Sequence, residues 1–129
     1  MAPKHIRVTE VDGHAVVCFN NLERVVVPGE ELEQLDSELQ ALAGRESWVS
    51  VILDFEDEPF IPYGAFEVVL IRLHKMLGER LKLCNVPSLV MEHFEINRLA
   101  TLFYICPTRE DALQASHSGR QAKEQDRDH

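Results

Sequence analysis

Positive charge is scarce in this chain. Thirteen lysines and arginines stand against twenty-two aspartates and glutamates in 129 residues, a net charge of −9. That balance argues against nucleic acid or an anionic membrane as partner, because both need a basic face. Long apolar runs are missing too: nothing approaches the ~20 residues of a membrane span. The start, Met1-Ala-Pro-Lys-His-Ile6, has no signal-peptide apolar region. Cysteine is sparse, with Cys18, Cys84 and Cys106 odd in number and widely spaced. No Cys-x-x-Cys pair or nearby histidine pair suggests zinc, so no metal is expected. Buried reduced thiols are the simplest reading, and they imply a reducing, cytoplasmic setting. Neither a Gly-x-x-x-x-Gly-Lys loop nor a Gly-x-Gly-x-x-Gly turn occurs, so no nucleotide cofactor is expected.

Catalytic chemistry has little to stand on. His74 is placed on the polar side of a helix beside Arg72 and Lys75, His93 follows Glu92, and His117 and His129 are near the end. No serine, cysteine or threonine has a sequence-evident histidine and acid partner. The acids Asp54, Glu56, Asp57 and Glu58 crowd one loop. They supply charge without convergence from several segments, which a tight cation site requires. Solvated loop acids are expected there, with Asp54 taking nearby backbone N–H groups. No catalytic residue is assigned, and the chain is read as a non-enzyme.

What is present is well punctuated. Ile6–Val11 and His14–Phe19 flank Asp12-Gly13, a two-residue hairpin signal. Leu22 to Val27 reads as a short edge strand. Glu30 to Ala43 carries leucines at 32, 35, 39 and 42, one apolar stripe on a helix, with Glu30, Glu31 and Glu33 at its positive end and Gly44 to close it. Val49 to Leu53 is a strand, and an apolar helix starts near Tyr63 and ends at Gly78. Arg80 to Cys84 is a strand, and Ser88 can cap a short helix through Phe94. Leu99 to Cys106 reads as the last strand, although Asn97-Arg98-Leu99 could be turn. Thr108-Arg-Glu-Asp111 resembles a capping box for a final helix. Residues 1–115 form one domain on this reading. Residues 116–129, without apolar periodicity, form a disordered tail. The order ββ(β)αβαβαβα predicts an α/β fold with a mixed, mostly parallel sheet of four or five strands and about four helices.

The central segment carries a family resemblance. A strand ending in Leu53-Asp54 leads through an acidic loop to Phe60-Ile61-Pro62-Tyr63-Gly64 and an apolar helix. This is similar to the heart of the STAS domain (sulfate transporter and anti-sigma factor antagonist), where a Leu-Asp strand runs into a Phe-Ile-Asp-Ser-Ser-Gly-like turn. Leu81 to Phe103 resembles the family's second half, and Glu110-Asp-Ala-Leu113 its closing helix. Ungapped from Phe60-Ile61, the family's phosphorylated serine falls on Gly64, which has no hydroxyl. A receiver domain, the other family with an aspartate at a strand end, needs an acidic pair after its first strand and a lysine after its last. Neither is here.

The resemblance implies a non-catalytic protein that docks a kinase-like anti-sigma factor or related regulator in bacterial transcription or stress signalling, as a monomer or weak homodimer. Partner contacts are then expected at Asn21, Glu58, Pro62, Tyr63, Gly64, Val68 and Ile71. On the second helix, Phe66, Val69, Leu70, Leu73 and Leu77 make the core stripe, while Val68 and Ile71 fall on an adjacent strip with Gly64 and Lys75. That strip is either a docking patch or ordinary exposed aliphatics. Tyr63 is either a contact residue or tucked beside Pro62, and Gly64 could serve a positive-φ turn. A structural subunit of a larger signalling assembly and a small-ligand or nucleotide sensor are the alternatives.

Overall fold

Asp12 and Gly13 both take positive φ, 51° and 87°. This is the type I′ geometry that matches the twist of the strands it joins. A Cβ on Gly13 would also come within 3.1 Å of Val49 Cγ2. The turn pairs β1 (Ile6–Val11) antiparallel with β2 (His14–Phe19), from Val11 opposite His14 to Ile6 opposite Phe19. The computed structural model describes residues 5–20, 30–45, 47–56 and 63–115. Leu22–Val27, read as an edge strand, and the tail at 116–129 lie outside the described residues.

Every later strand adds in parallel. β3 (Ser50–Asp54) lies beside β2, β4 (Leu81–Cys84) beside β3, and β5 (Tyr104–Cys106) beside β4, giving the order β1-β2-β3-β4-β5. The connections carry α1 (Glu30–Ala43), α2 (Tyr63–Leu77) and α3 (Ser88–Ile96). All three helices cover one face. Leu35 and Leu39 of α1, Phe66, Leu70 and Leu73 of α2, and Phe94 of α3 pack on Val17, Leu53 and Leu83 of the sheet. The fourth helix, α4 (109–115), covers the other face with Ala112 against Val16, Ile52, Cys84 and Cys106. Among the described residues, the five-stranded, mostly parallel sheet with four α-helices is the expected fold.

Several boundaries differ from the sequence reading. The last strand is only Tyr104–Cys106. The N–H groups of Leu99 and Ala100 turn back to the Phe94 carbonyl, and Arg98 holds φ at 62°. Residues 97–103 therefore form turns that deliver Phe103 to the core, where it meets Phe94 at 5.6 Å. Gly78, at φ +60°, ends α2 as expected and begins a 3₁₀ turn, Gly78–Arg80, so β4 starts at Leu81 rather than Arg80. Pro87, not Ser88, occupies the cap of α3, without a side-chain hydrogen bond, and that helix continues to Ile96. Thr108 does cap α4, its Oγ1 accepting the Asp111 N–H at 3.1 Å.

Candidate functional site

The loop between β3 and α2 is clamped at both ends by aromatic packing. Phe55, one residue beyond β3, stacks on Phe19 at 5.1 Å, and Phe66 in α2 meets both edge-on at 5.5 and 5.8 Å. Such pairs add to their burial about 0.5–1.5 kcal/mol each. They fix where the loop leaves the sheet and where α2 begins. Asn21, Glu58 and Pro62, named as contacts by the resemblance, lie outside the described residues. Tyr63 and Gly64 open α2 with helical backbone. Gly64 therefore meets no demand for positive φ, and that alternative is set aside.

At the end of β3, Asp54 is buried rather than solvated, and the expectation of a solvated loop acid is corrected. Its side chain has no exposed area, and Arg109 at the start of α4 donates from Nε to Oδ2 at 2.7 Å. The Asn85 amide donates to Oδ1 at 3.0 Å, and the Glu56 backbone N–H at 2.9 Å supplies the anticipated local bond. Burial pushes the Asp54 carboxyl up, but Asn85, the Glu56 N–H and Arg109 together hold it below the usual carboxylate range. Three strands bring Asp54, Cys84 and Cys106 into one register row. Arg109 Nη2 reaches Cys18 Sγ at 3.7 Å. Cys84 and Cys106 are buried as expected, whereas Cys18 is only half-buried. Burial raises the Cys84 thiol far above its ordinary pKa, so it stays protonated. The arrangement is a structural anchor joining the root of the loop to α4.

On the outer face of α2, Val68 is 49% exposed while Ile71 packs partly against the core. The two are therefore unequal members of the strip. Polar contacts hold α2 on both flanks: an ion pair from Arg72 Nη1 to Asp36 Oδ2 of α1 at 2.5 Å, and the approach of Glu67 Oε2 to His93 Nε2 of α3 at 2.8 Å. His74, placed by sequence on the polar side, is instead half-buried, edge-on to Phe103 at 6.0 Å. Sequence reasoning passed over Leu89 and Ile96, 69% and 75% exposed on α3. Their seven-residue spacing, two helical turns, could have flagged them. It also passed over the His14 and Ser50 side chains, 2.8 Å apart and buried at the opposite end of the sheet.

Among the described residues no group of three His, Cys, Asp or Glu side chains is placed to hold a metal ion, and no helix is long and apolar enough to cross a membrane. No family model matches the sequence. A curated relative does. BtrV of Bordetella bronchiseptica, which carries the name anti-sigma factor antagonist, is 31% identical over 109 residues, 82% of this chain and 89% of BtrV. Among solved structures, an anti-sigma-factor antagonist (STAS) domain protein from Planctomyces limnophilus superposes with a TM-score of 0.72 at 25% identity. That match covers 87% of this chain and 97% of the other. The Bacillus cell fate determinant SpoIIAA in its phosphorylated form shares the fold, with a TM-score of 0.57 at 15% identity over 84% and 96% of the two chains. With the sheet order, the helix placement and this relative in agreement, the chain belongs to the anti-sigma factor antagonist family of STAS domain proteins.

Proposed function

We propose that this protein is a non-catalytic antagonist that binds a kinase-like anti-sigma factor or related regulator in bacterial signalling, and that it does so through the start and outer face of α2. The observation that carries this reading is Val68: a large aliphatic side chain, 49% exposed, on a helix whose flanks are already pinned to α1 and α3. A helix held on both flanks and presenting apolar surface loses little entropy on docking. The membership shared with BtrV supports a protein partner of the anti-sigma class. SpoIIAA is described in a phosphorylated form. Here the position matched by ungapped alignment is Gly64, so the protein binds without the serine switch, and control lies with the partner or with abundance.

The test is capture from the native host with the partner identified by mass spectrometry, then titration of the purified partner. Val68→Lys and Gly64→Asp should each weaken the complex at least tenfold while circular dichroism stays unchanged. Full affinity in both folded variants places the docking surface elsewhere. Incubation of the wild type with the captured kinase and ATP should leave residue 64 unmodified, which intact-mass measurement reads directly.

A further inference from the structure

The outer edge of β1 is an unpaired strand, and nothing among the described residues lies beyond it in the sheet. The ladder to β2 closes at Val11 opposite His14, and the Asn20 N–H donates to the His5 carbonyl at 2.8 Å. In an antiparallel ladder of that phase, the odd residues of β1 bond inward. The N–H and C=O groups of Ile6, Val8 and Glu10 therefore point outward. Val8, at the middle of this edge, is 37% exposed. Beside it runs a groove of about 870 Å³ between β1 and α1, floored by Ile6, Leu42 and Trp48. Its rim carries both signs, Arg7 and Arg45 against Glu10 and Glu38.

We propose that this edge pairs with β1 of a second copy, antiparallel about a two-fold axis at Val8, to give a weak homodimer with a continuous ten-stranded sheet. The argument for a second copy is electrostatic and geometric. A protein of net charge −9 repels itself almost everywhere. The groove rim, with two cations and two anions, is a neutral stretch that faces its own image without that penalty. A two-fold axis perpendicular to the sheet keeps like faces together, so only registers centred on a residue are allowed. Centring on Val8 sets Val8 against Val8 and Ile6 against Glu10 of the copy. All three outward residues then sit at hydrogen-bonded positions. The two Val8 side chains cover each other on the groove side. A strand of six residues buries less than the roughly 800 Å² per partner of a standard interface, so the dimer is weak. The docking reading for α2 is independent of this one, because α1 lies between α2 and β1.

Sedimentation velocity from about 10 μM to about 1 mM spans the dissociation constants expected of so small an interface. The wild type should rise toward twice the monomer mass, and Val8→Lys, which sets two ammonium groups against each other, should remain monomeric with an unchanged melting temperature. In a Cys18→Ser background, Val8→Cys should cross-link under oxidised glutathione. Cα atoms of a hydrogen-bonded pair lie about 5.5 Å apart, within disulfide reach. Thr9→Cys, on the other face and opposite Arg7 of the copy, should not cross-link. A wild type that stays monomeric at the highest concentration overturns the proposal and leaves the edge to another protein's strand. So does undiminished dimerisation of folded Val8→Lys, or equal cross-linking of the two cysteine variants. If Val8→Lys does not fold, the wild-type series and the cysteine pair decide.

Discussion

Arg109 Nε lies 2.7 Å from Asp54 Oδ2, tying the first turn of α4 to the last residue of the central strand across 55 residues of sequence. Asp54 is the last residue of β3, so the end of the central strand and the start of α4 share one anchor. The carboxylate is fully buried, and the guanidinium is 39% exposed.

Arg109→Met keeps the volume over Cys18 but leaves the Asp54 carboxylate with two neutral donors. Loss of one charged hydrogen bond on a buried acid costs about 1–3 kcal/mol, with the lower half favoured because Arg109 is partly solvated. The pH dependence follows from the Asp54 carboxyl being held low in the fold. A depressed folded pKa stabilises the protein above the unfolded value of about 4, and that contribution is lost as pH falls through the folded pKa. The variant, holding Asp54 less low, should unfold at a higher pH on acid titration. An unchanged acid midpoint would mean that Asn85 and the Glu56 N–H suffice.

Lys82 gives a prediction of opposite kind. It is buried at 5% exposure, its ammonium donating to the Glu79 carbonyl at 3.2 Å and lying 4.8 Å from the centre of the Tyr104 ring. Desolvation lowers its pKa. The neutral form is thus favoured by folding: the benefit is full above the unfolded pKa of about 10.4 and disappears as pH falls through the folded one. Near neutrality the charge is a burden, so Lys82→Met should be at least as stable as the wild type at pH 7 in urea denaturation. As pH rises from neutrality toward the unfolded pKa of about 10.4, the wild type should gain on the variant. Taking the difference cancels the opposing effects of Cys84 and Tyr104, whose pKa values are raised. A variant clearly less stable at pH 7 would show that the ring and carbonyl contacts outweigh desolvation.

Much of the fold was legible because its determinants are local. Asp12-Gly13 encodes its turn in two residues. Phe66, Val69, Leu70, Leu73 and Leu77 declare the buried face of α2 by period alone, and all five are buried. Leu99 to Cys106 misled because apolar composition does not distinguish a strand from a turn that drops Phe103 into the core. Asp54 misled for a different reason. Its partner Arg109 reaches it only after α4 folds back over the sheet, and no spacing rule reports such a meeting. The strip with Val68 and Ile71 was legible from the helical period. The difference between Val68 and Ile71 depends on how α2 seats on the core cluster, which the period of one helix cannot show.

The three thiols should separate by exposure. Cys18 is half-buried with the Arg109 guanidinium 3.7 Å from its sulfur, while Cys84 and Cys106 are buried. A cation beside an accessible thiol stabilises the negative charge carried by sulfur in its attack on the reagent, and so speeds reaction. Ellman's reagent at pH 8 should titrate one thiol rapidly in the native protein and all three in denaturant. Cys18→Ser should remove the fast phase, and Arg109→Met should slow it. A fast phase that survives Cys18→Ser would show that α4 opens readily over the other two.

Val68 and Ile71 should part company under the same charge insertion. Val68 is exposed and projects from the helix, so Val68→Glu should change stability by no more than about 0.5 kcal/mol, the usual range for surface sites. Ile71 packs partly against the core cluster. A carboxylate there must either be desolvated or displace its neighbours, and Ile71→Glu should cost about 1–3 kcal/mol. Both should weaken partner binding if α2 is the docking helix, but only Val68→Glu reports binding without a stability change. Urea denaturation of the two variants, measured before any binding experiment, tests the ordering. Equal stability would place Ile71 outside the core and restore the symmetric strip read from the helical period. A loss in both would mean that Val68 is held by contacts its exposure conceals, and its binding effect could not then be separated from folding.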